Sequence, residues 1–176
     1  MNELKIEVES TYRSLVARQS DNGDVDLGTT PDDIADAEEA LKIKFPEALC
    51  YWLEYCNGTN APLEISLGDD VEPASFVGIF PCVEWADLTL QFRSELAFWN
   101  GAFAKGEAQI VGPVKRKAVS DKWVLFSYGH GMYWFFDFEP EPLGTIGQIV
   151  VVYPMPDEHR VQVIAKDIIE FVGLLN

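Results

Sequence analysis

The chain has 176 residues, a length typical of one domain, and 48% of its residues are hydrophobic, as in a globular protein. No apolar run approaches the roughly 20 residues that a transmembrane helix needs, and no signal peptide begins the chain, so we expect a cytoplasmic protein with no membrane partner. The formal net charge of -16, from 13 Lys and Arg against 29 Asp and Glu, repels nucleic acid phosphates and favours a basic partner.

The N-terminal part of the chain is predicted to be helical. Apolar residues recur at helical spacing over residues 4–16, and a polar, turn-rich segment at residues 20–26 ends that helix. The tetrapeptide Thr30-Pro31-Asp32-Asp33 signals the start of a second helix, because it combines a capping hydroxyl, a proline for the first turn and two carboxylates. Pro46 begins a third helix, and Gly58 stands where a left-handed C-terminal cap belongs.

Strands dominate the second half of the predicted structure. Short apolar runs at residues 62–67 and 76–80 indicate two strands, and apolar residues spaced by threes and fours over residues 85–103 predict a long central helix. Short turns, including one at residues 154–158, separate the later strands and favour antiparallel neighbours. These strands span residues 123–128, 133–138, 148–153 and 160–164, and a helix over residues 166–175 follows them.

The order of these elements predicts the fold class. Helices come first, a meander of strands comes later, and no internal repeat or linker divides the chain. We therefore expect an α+β fold in a single domain over residues 1–176. Its mostly antiparallel or mixed sheet is packed against N-terminal helices, one central helix and a C-terminal helix.

The sequence lacks the motifs of several kinds of chemistry. It has no phosphate-binding loop and no nucleophile elbow, and its glycine clusters resemble turns between strands. His130 and His159 are far apart in the sequence, and an odd number of cysteines fits neither a disulfide framework nor a zinc site. We expect no metal, no cofactor and no catalytic activity.

Two carboxylates at the end of a predicted strand have three possible roles. Asp137 and Glu139 lie two residues apart, so both side chains can point to one face of the sheet. They can form ion pairs with Arg or Lys of a partner, or they can act as general acid and base. Asp137 can instead accept hydrogen bonds from the backbone amides of the adjacent turn. The sequence leaves these alternatives open.

Aromatic residues are dense on the neighbouring strand. If one face of that strand packs in the core, its other face carries Tyr133 and Phe135 beside Asp137, which is plausible interface chemistry. Helices that cover both faces would instead make the aromatic residues part of the core. His130, between two glycines, is either a solvated turn residue or a polar contact for a partner.

An ordered set of motifs resembles the SUKH superfamily, which includes the fungal cell-wall-assembly regulator and many bacterial immunity proteins. The motifs are Trp123-Val124-Leu125-Phe126-Ser127-Tyr128-Gly129-His130-Gly131, Asp137-Phe138-Glu139-Pro140 and Gly144-Thr145-Ile146-Gly147-Gln148-Ile149. Residues 37–58 resemble the N-terminal helix pair of that superfamily, and residues 164–171 resemble its closing helix. The resemblance is strongest over residues 31–175.

The resemblance implies a non-catalytic protein-binding module. The leading hypothesis is an immunity protein that neutralises a cognate bacterial toxin, of the nuclease or deaminase type, by direct binding. A regulatory scaffold similar to the fungal members is the alternative, and a hydrolase that uses two carboxylates is a third hypothesis. The residues expected to bind the partner are Asp137, Glu139, Tyr133, Phe135 and His130.

Overall fold

A computed structural model describes residues 2–19, 25–59, 63–65, 74–76, 78–155 and 158–175. The helices are α1 (Glu3–Gln19), α2 (Pro31–Leu41), α3 (Glu47–Tyr55), α4 (Trp85–Leu96), α5 (Asn100–Ala104) and α6 (Ile168–Leu174). The strands are β1 (Val25–Leu27), β2 (Cys56–Thr59), β3 (Leu63–Ile65), β4 (Ala74–Phe76), β5 (Gln109–Val111), β6 (Trp123–Gly129), β7 (Met132–Asp137), β8 (Gln148–Met155) and β9 (Glu158–Ala165). The predicted α+β fold class is confirmed.

A mixed sheet lies at the centre of the fold. Its strands have the order β5-β9-β8-β7-β6 in the described part of the chain. The pairs β6–β7, β7–β8 and β8–β9 are antiparallel, as the short turns predict. Strand β5 pairs with β9 in parallel, which the sequence did not indicate. Two smaller antiparallel pairs, β1–β2 and β3–β4, lie outside this sheet.

Helices cover both faces of the central sheet. Along β7 the side chains alternate, so Trp134 and Phe136 enter one hydrophobic core while Phe135 enters a second core on the opposite face. The buried helical residues of the first core, from α1, α2, α3 and α6, include Val8, Leu15, Ile34, Ala37, Leu49, Trp52, Leu53, Phe171 and Val172. The second core is closed by Phe92, Leu96 and Phe103, from α4 and α5.

Helix α2 begins where the sequence predicts. The Thr30 hydroxyl accepts a 3.2 Å hydrogen bond from the Asp33 amide, and the Asp33 carboxylate accepts one of 3.3 Å from the Thr30 amide. This reciprocal capping box occupies amides that the first turn leaves without intrahelical partners. Ile34 and Ala37 anchor the helix in the first core. The helix ends at Lys42, whose backbone is left-handed with φ 55°.

The predicted central helix is interrupted. Helix α4 ends at Leu96, a 3-10 turn spans Ala97–Trp99, and α5 continues from Asn100. The Asn100 side-chain oxygen accepts hydrogen bonds from the amides of Ala118 at 2.8 Å and Val119 at 3.2 Å. These hydrogen bonds attach the start of α5 to the segment that precedes β6. The spacing of apolar residues alone does not reveal this contact.

Three local predictions are wrong. Gly58 is not a helix cap, because α3 ends at Tyr55 and the glycine lies within β2. No strand occupies residues 78–80, since β4 ends at Phe76. The turn predicted at residues 154–158 is wrong at both ends, because β8 extends to Met155 and β9 starts at Glu158, while residues 156–157 lie outside the described part of the chain. Of the loop predicted at residues 20–26, residues 20–24 lie outside the described part of the chain, and the rest belongs to β1.

Candidate partner-binding site

The Asp137 side chain holds the turn that follows β7. Its Oδ1 accepts a hydrogen bond of 2.9 Å from the Glu139 amide, and its Oδ2 accepts one of 3.0 Å from the Gln148 side-chain amide. The carboxyl group is fully buried. Of the roles considered for Asp137, this geometry is that of a residue that accepts hydrogen bonds from the adjacent turn.

Burial raises the pKa of the Asp137 carboxyl above its ordinary value. The hydrogen bonds from Glu139 and Gln148 favour the charged form and oppose this shift, as do the nearby Trp123 indole and the charge of Lys115. The indole N–H of Trp123 lies near the Asp137 carboxyl group but forms no hydrogen bond of acceptable geometry with any described residue. Asp137 therefore retains its proton to a higher pH than an exposed aspartate does.

Gln148 fixes the connection between β7 and β8, which we call the 138–147 loop. Its side-chain nitrogen donates both to Asp137 and to the Pro113 carbonyl oxygen, at 3.0 Å each, while its side-chain oxygen accepts from the Thr145 amide at 3.3 Å. The Glu141 amide also donates to the Pro113 oxygen, at 3.1 Å. The motif that carries the family resemblance thus forms a hydrogen-bonded framework for this loop.

Close packing requires glycine at the end of the same loop. Gly147 has φ 85°, and a Cβ atom there would lie 2.8 Å from Cγ of Pro46. Its amide donates a 2.8 Å hydrogen bond to the backbone oxygen of Asp137. The loop is therefore held from two sides, by Pro113 in the chain before β6 and by Pro46 at the start of α3.

Glu139 has a different environment from Asp137. It is exposed, and its carboxylate forms an ion pair of 2.5 Å with Lys115. Lys115 lowers the pKa of Glu139 most strongly, with smaller effects from Lys117 and Lys122. One carboxyl group of the pair is thus buried in a turn and the other is ion-paired at the surface. The two carboxyl groups therefore differ in burial and in the direction in which their pKa values are shifted.

The lysines around Glu139 form a surface cluster. The Lys122 ammonium donates a 3.2 Å hydrogen bond to the backbone oxygen of Lys42, which joins the end of α2 to this region. Lys42, Lys117 and Lys122 are exposed, and Lys115 is half-buried. We call Lys115, Lys117 and Lys122 the lysine cluster, because all three charges act on the Glu139 carboxylate, which partly offsets them. It is a basic region on a chain whose formal net charge is -16.

The expectation of an exposed aromatic face on β7 is wrong for Phe135 and Asp137. Both residues are fully buried, and the Phe135 ring packs against Trp123 with ring centroids 5.7 Å apart. Tyr133 is half-buried and meets Phe92 edge to face at 5.4 Å, and burial raises the pKa of its hydroxyl. Residues of α4 and α5 share the core with Phe135, and Asp137 is enclosed by the turn after β7, so neither residue offers a surface for a partner to touch.

His130 lies exposed in the hairpin between β6 and β7. Gly129 pairs with Met132, which leaves His130 and Gly131 as a two-residue turn with φ 49° and 77°. Positive φ at both central positions is the preferred geometry for a tight hairpin, and glycine accepts it at the second position without strain. Contact of Tyr133, His130 or Glu139 with a partner stays a prediction.

A surface that the sequence reading missed lies on α2. Asp32, Asp36 and Glu39 are exposed at spacings of four and three residues, so they form one stripe that we call the α2 acidic face. The helix contains no Lys or Arg. The other carboxylates of α2 are engaged: Asp33 in the cap, and Glu38 with Lys44 at 2.6 Å. The helical spacing of the carboxylates could have revealed this face.

The described residues offer neither a metal site nor a membrane-spanning helix. No group of three or more His, Cys, Asp or Glu residues in the described ranges is placed to hold a metal ion. None of the helices described above combines the length and the apolar character needed to cross a membrane.

The comparisons with known proteins identify the family. The model of the SMI1 / KNR4 family (SUKH-1) matches residues 28–173, a range that runs from just before α2 into α6 and includes every motif of the 138–147 loop. A comparison with curated proteins finds no match. Because the family model spans well over half of the sequence, the chain belongs to the SMI1 / KNR4 family (SUKH-1).

Proposed function

We propose that this protein is a non-catalytic binding module that neutralises a toxin of the nuclease or deaminase type by direct contact in the cytoplasm. Membership of the SMI1 / KNR4 family fits a role as an immunity protein or as a regulator. The observation that carries the proposal is the α2 acidic face, which is exposed and helical and has no basic residue among its neighbours on the same helix.

Part of the α2 acidic face is unfavourable for the helix, although Asp32 in the first turn complements the helix dipole. Like charges four residues apart, as at Asp32 and Asp36, weaken a helix by roughly 0.2–0.5 kcal/mol per pair. The capping box and the buried Ile34 and Ala37 stabilise α2 without help from Asp36 and Glu39. A basic partner surface would place positive charges beside these carboxylates and so remove their mutual repulsion. The carboxylates of this face are therefore better explained by binding to a partner than by helix stability.

The overall charge supports the same type of partner. An enzyme that acts on nucleic acid has a basic surface where it meets phosphate, and a protein of charge -16 attracts such a surface at long range. Charge complementarity mainly speeds the encounter, which suits an inhibitor that must bind its toxin before the toxin acts. The structural role of Asp137 and the ion pair of Glu139 favour binding over hydrolysis.

Co-expression with the toxin domain encoded by the neighbouring gene tests the proposal. The unmodified protein should rescue growth and co-purify with the toxin domain. Neutralising the α2 acidic face by Asp32→Asn, Asp36→Asn and Glu39→Gln together should weaken binding by about tenfold or more, because complementary charges are lost. Growth arrest in the presence of the unmodified protein, without co-purification, would contradict the proposal.

The control is a second triple variant with the same change in net charge. Glu7, Glu107 and Asp121 are exposed and lie outside α2, so Glu7→Gln, Glu107→Gln and Asp121→Asn together should leave most of the affinity intact. If both triple variants lose binding equally, the effect comes from net charge, and α2 is not the recognition surface.

A regulatory scaffold is the second candidate function. It is favoured by the lysine cluster, which gives the protein a basic region close to the end of its acidic helix. Surfaces of opposite sign suit a protein that holds more than one partner. Isolation of the tagged protein from its native cells separates the two functions: one stoichiometric partner supports an immunity protein, and several endogenous partners support a scaffold.

A further inference from the structure

We propose that the outer face of α4 supplies the apolar anchors of the toxin-binding interface, where Leu90 and Phe98 enter a cleft of the basic toxin domain. This role rests on the proposed function, because it adds a second helix to the same interface. The α4 outer face consists of the exposed residues of α4 and of the following 3-10 turn that share one side: Asp87, Leu90, Gln91, Ser94, Glu95 and Phe98.

Two large apolar side chains of this face lie in solvent. Leu90 is 61% exposed and Phe98 is 81% exposed, whereas Phe92 and Leu96 of the same segment are buried in the second core. Positions that are seven or eight residues apart lie on the same side of a helix, so Leu90 and Phe98 point outward together. A phenylalanine exposed to this extent adds little to the core, and aromatic residues are enriched at the centres of protein interfaces.

Neighbouring aromatic rings hold Phe98 in a defined position. Its ring meets the Trp99 ring edge to face with the centroids 5.4 Å apart, and Trp99 is half-buried and packs against the second core. The centroid of the Trp99 ring is also 5.1 Å from that of the His159 ring in β9. The hydrogen bonds to Asn100 fix the chain directly after these rings. A side chain that is already held in place loses little conformational entropy when it binds a partner.

Carboxylates flank the two apolar side chains. Asp87 and Glu95 are exposed on α4, and Glu84 is exposed directly before it. No ion pair between described residues engages any of these three carboxylates. Helix α4 contains one basic residue, Arg93, whose guanidinium donates to two backbone oxygens at the start of β6, at 3.0 Å and 3.2 Å. Three carboxylates therefore leave this face negatively charged even when Arg93 is counted.

Apolar anchors among carboxylates fit one class of partner. A second copy of this chain would place carboxylates against carboxylates, and each copy carries a formal net charge of -16. An anionic membrane is repelled for the same reason. A protein surface with an apolar cleft and Lys or Arg at its rim matches both features, and the α2 acidic face fits the same kind of surface.

One partner can reach both helices, because α2 and α4 are neighbours. Helix α2 is in contact with α4 and with the 3-10 turn Cys82–Glu84 that leads into it. A standard protein interface buries about 800 Å² of each partner, so it extends over more than one helix. Complementary charges mainly speed the encounter, while the residues that anchor a complex mainly slow its dissociation. The two faces should therefore control different rate constants.

Binding kinetics of the full chain with the purified toxin domain of the neighbouring gene test the role of α4. Leu90→Ser with Phe98→Ser should raise the dissociation rate constant by about tenfold or more and change the association rate constant by less than about twofold. The α2 triple variant should mainly lower the association rate constant. The matched apolar control is Leu143→Ser with Ile146→Ser in the 138–147 loop, where the two residues are 99% and 60% exposed, and it should change neither rate constant.

Amide NMR spectra of the unmodified protein give a second test, which needs no substitution. Addition of the toxin domain should shift the signals of residues 87–98 together with those of the outward residues of α2. Spectra of each free variant verify that its fold is intact.

The outcomes separate the two proposals. An unchanged dissociation rate constant in the α4 variant, an equal increase in the loop control, or unshifted signals at residues 87–98 would overturn the role of α4 and leave the α2 proposal intact. A dimer in sedimentation equilibrium that depends on Phe98 would overturn it in favour of a second copy of the chain. Absence of binding by the unmodified protein would contradict the proposed function itself, and the role of α4 with it.

Discussion

The side-chain amide of Gln148 donates a 3.0 Å hydrogen bond to the carboxylate of Asp137, and this contact joins the first residue of β8 to the last residue of β7. The two residues are also paired across the sheet. Each of them then fixes another part of the 138–147 loop, Asp137 through the Glu139 amide and Gln148 through the Thr145 amide. One buried contact therefore determines the shape of an exposed loop.

Replacement of Asp137 should destabilise the protein. Asp137→Ala leaves the buried amide of Gln148 and the amide of Glu139 without this acceptor, which we expect to lower the free energy of unfolding by about 2–4 kcal/mol. Urea denaturation measures the change. Glu139→Ala is the control, because Glu139 is exposed and its ion pair lies at the surface, and it should have little effect. Equal losses in both variants would contradict the framework role of Asp137.

Asp137 should also titrate above the ordinary aspartate value of about 3.9. Because its pKa is raised in the folded state, the folded state binds this proton more tightly than the unfolded state does. The stabilisation by protonated Asp137 is fully present below the pKa that this residue has in the unfolded state. It is lost as the pH rises through the pKa of the folded state. The stability of the unmodified protein should therefore fall relative to Asp137→Asn over that window. Carboxyl NMR titration and urea denaturation at several pH values provide the test, and a midpoint below 3.9 would contradict it.

Two glycine variants should have opposite effects. Gly147→Ala places Cβ 2.8 Å from Pro46 at φ 85°, and we expect the free energy of unfolding to fall by about 1–3 kcal/mol. Gly101→Ala, in α5, meets nothing within 4 Å and should leave stability unchanged or raise it by up to about 1 kcal/mol. Thermal and urea unfolding compare the two. A neutral Gly147→Ala would show that the loop is less tightly held than the distances indicate.

Leu143→Gly should leave the fold intact or stabilise it. Glycine relieves the left-handed backbone of Leu143, so the free energy of unfolding should be unchanged or rise by up to about 1 kcal/mol. A marked loss of stability, measured by urea denaturation, would show instead that the leucine serves the fold.

The association rate with the toxin domain should depend on salt. Steering by a charge of -16 is screened at high ionic strength, so the rate constant should fall by about tenfold or more between roughly 0.05 M and 0.5 M salt. Stopped-flow fluorescence measures the rate, and the α2 triple variant should show a weaker dependence. A rate that is constant over this range would exclude electrostatic steering.

The sequence predicts the regular part of the fold well. Strands β6, β7 and β8 are rich in aromatic and β-branched residues, and β9 carries Val161, Val163 and Ile164 among polar residues. Turns bound these strands, so their pattern is local. The start of α2 is equally local, because the capping hydroxyl of Thr30 and its partner Asp33 are three residues apart. Such signals need no knowledge of distant contacts.

Features that depend on distant contacts could not be read from the sequence. Strand β5 has three residues, and its parallel pairing with β9 joins Ile110 to Val161, far along the chain. The interruption after α4 depends on hydrogen bonds from the amides of Ala118 and Val119 to Asn100. The apolar spacing continues through this interruption, so the spacing predicts one helix.

The site was only partly predictable for the same reason. The run from Tyr133 to Phe136 is aromatic at every position, so it fits a strand covered on both faces as well as a strand with one open face. Only the positions of α4 and α5 show that the second face is closed. By contrast, the carboxylates of the α2 acidic face follow a helical period and could be read directly, whereas Leu143 gave no signal before its backbone geometry was known.

The two hydrophobic cores on either side of β7 have an evolutionary consequence. Nearly every side chain of the central strands is committed to one core or the other, so substitution there is constrained by packing on both sides. The outward residues of α2 and the tip of the 138–147 loop carry no such constraint. Descendants of this protein can therefore diverge in what they recognise by exchanging a few peripheral side chains, while their interiors remain nearly identical.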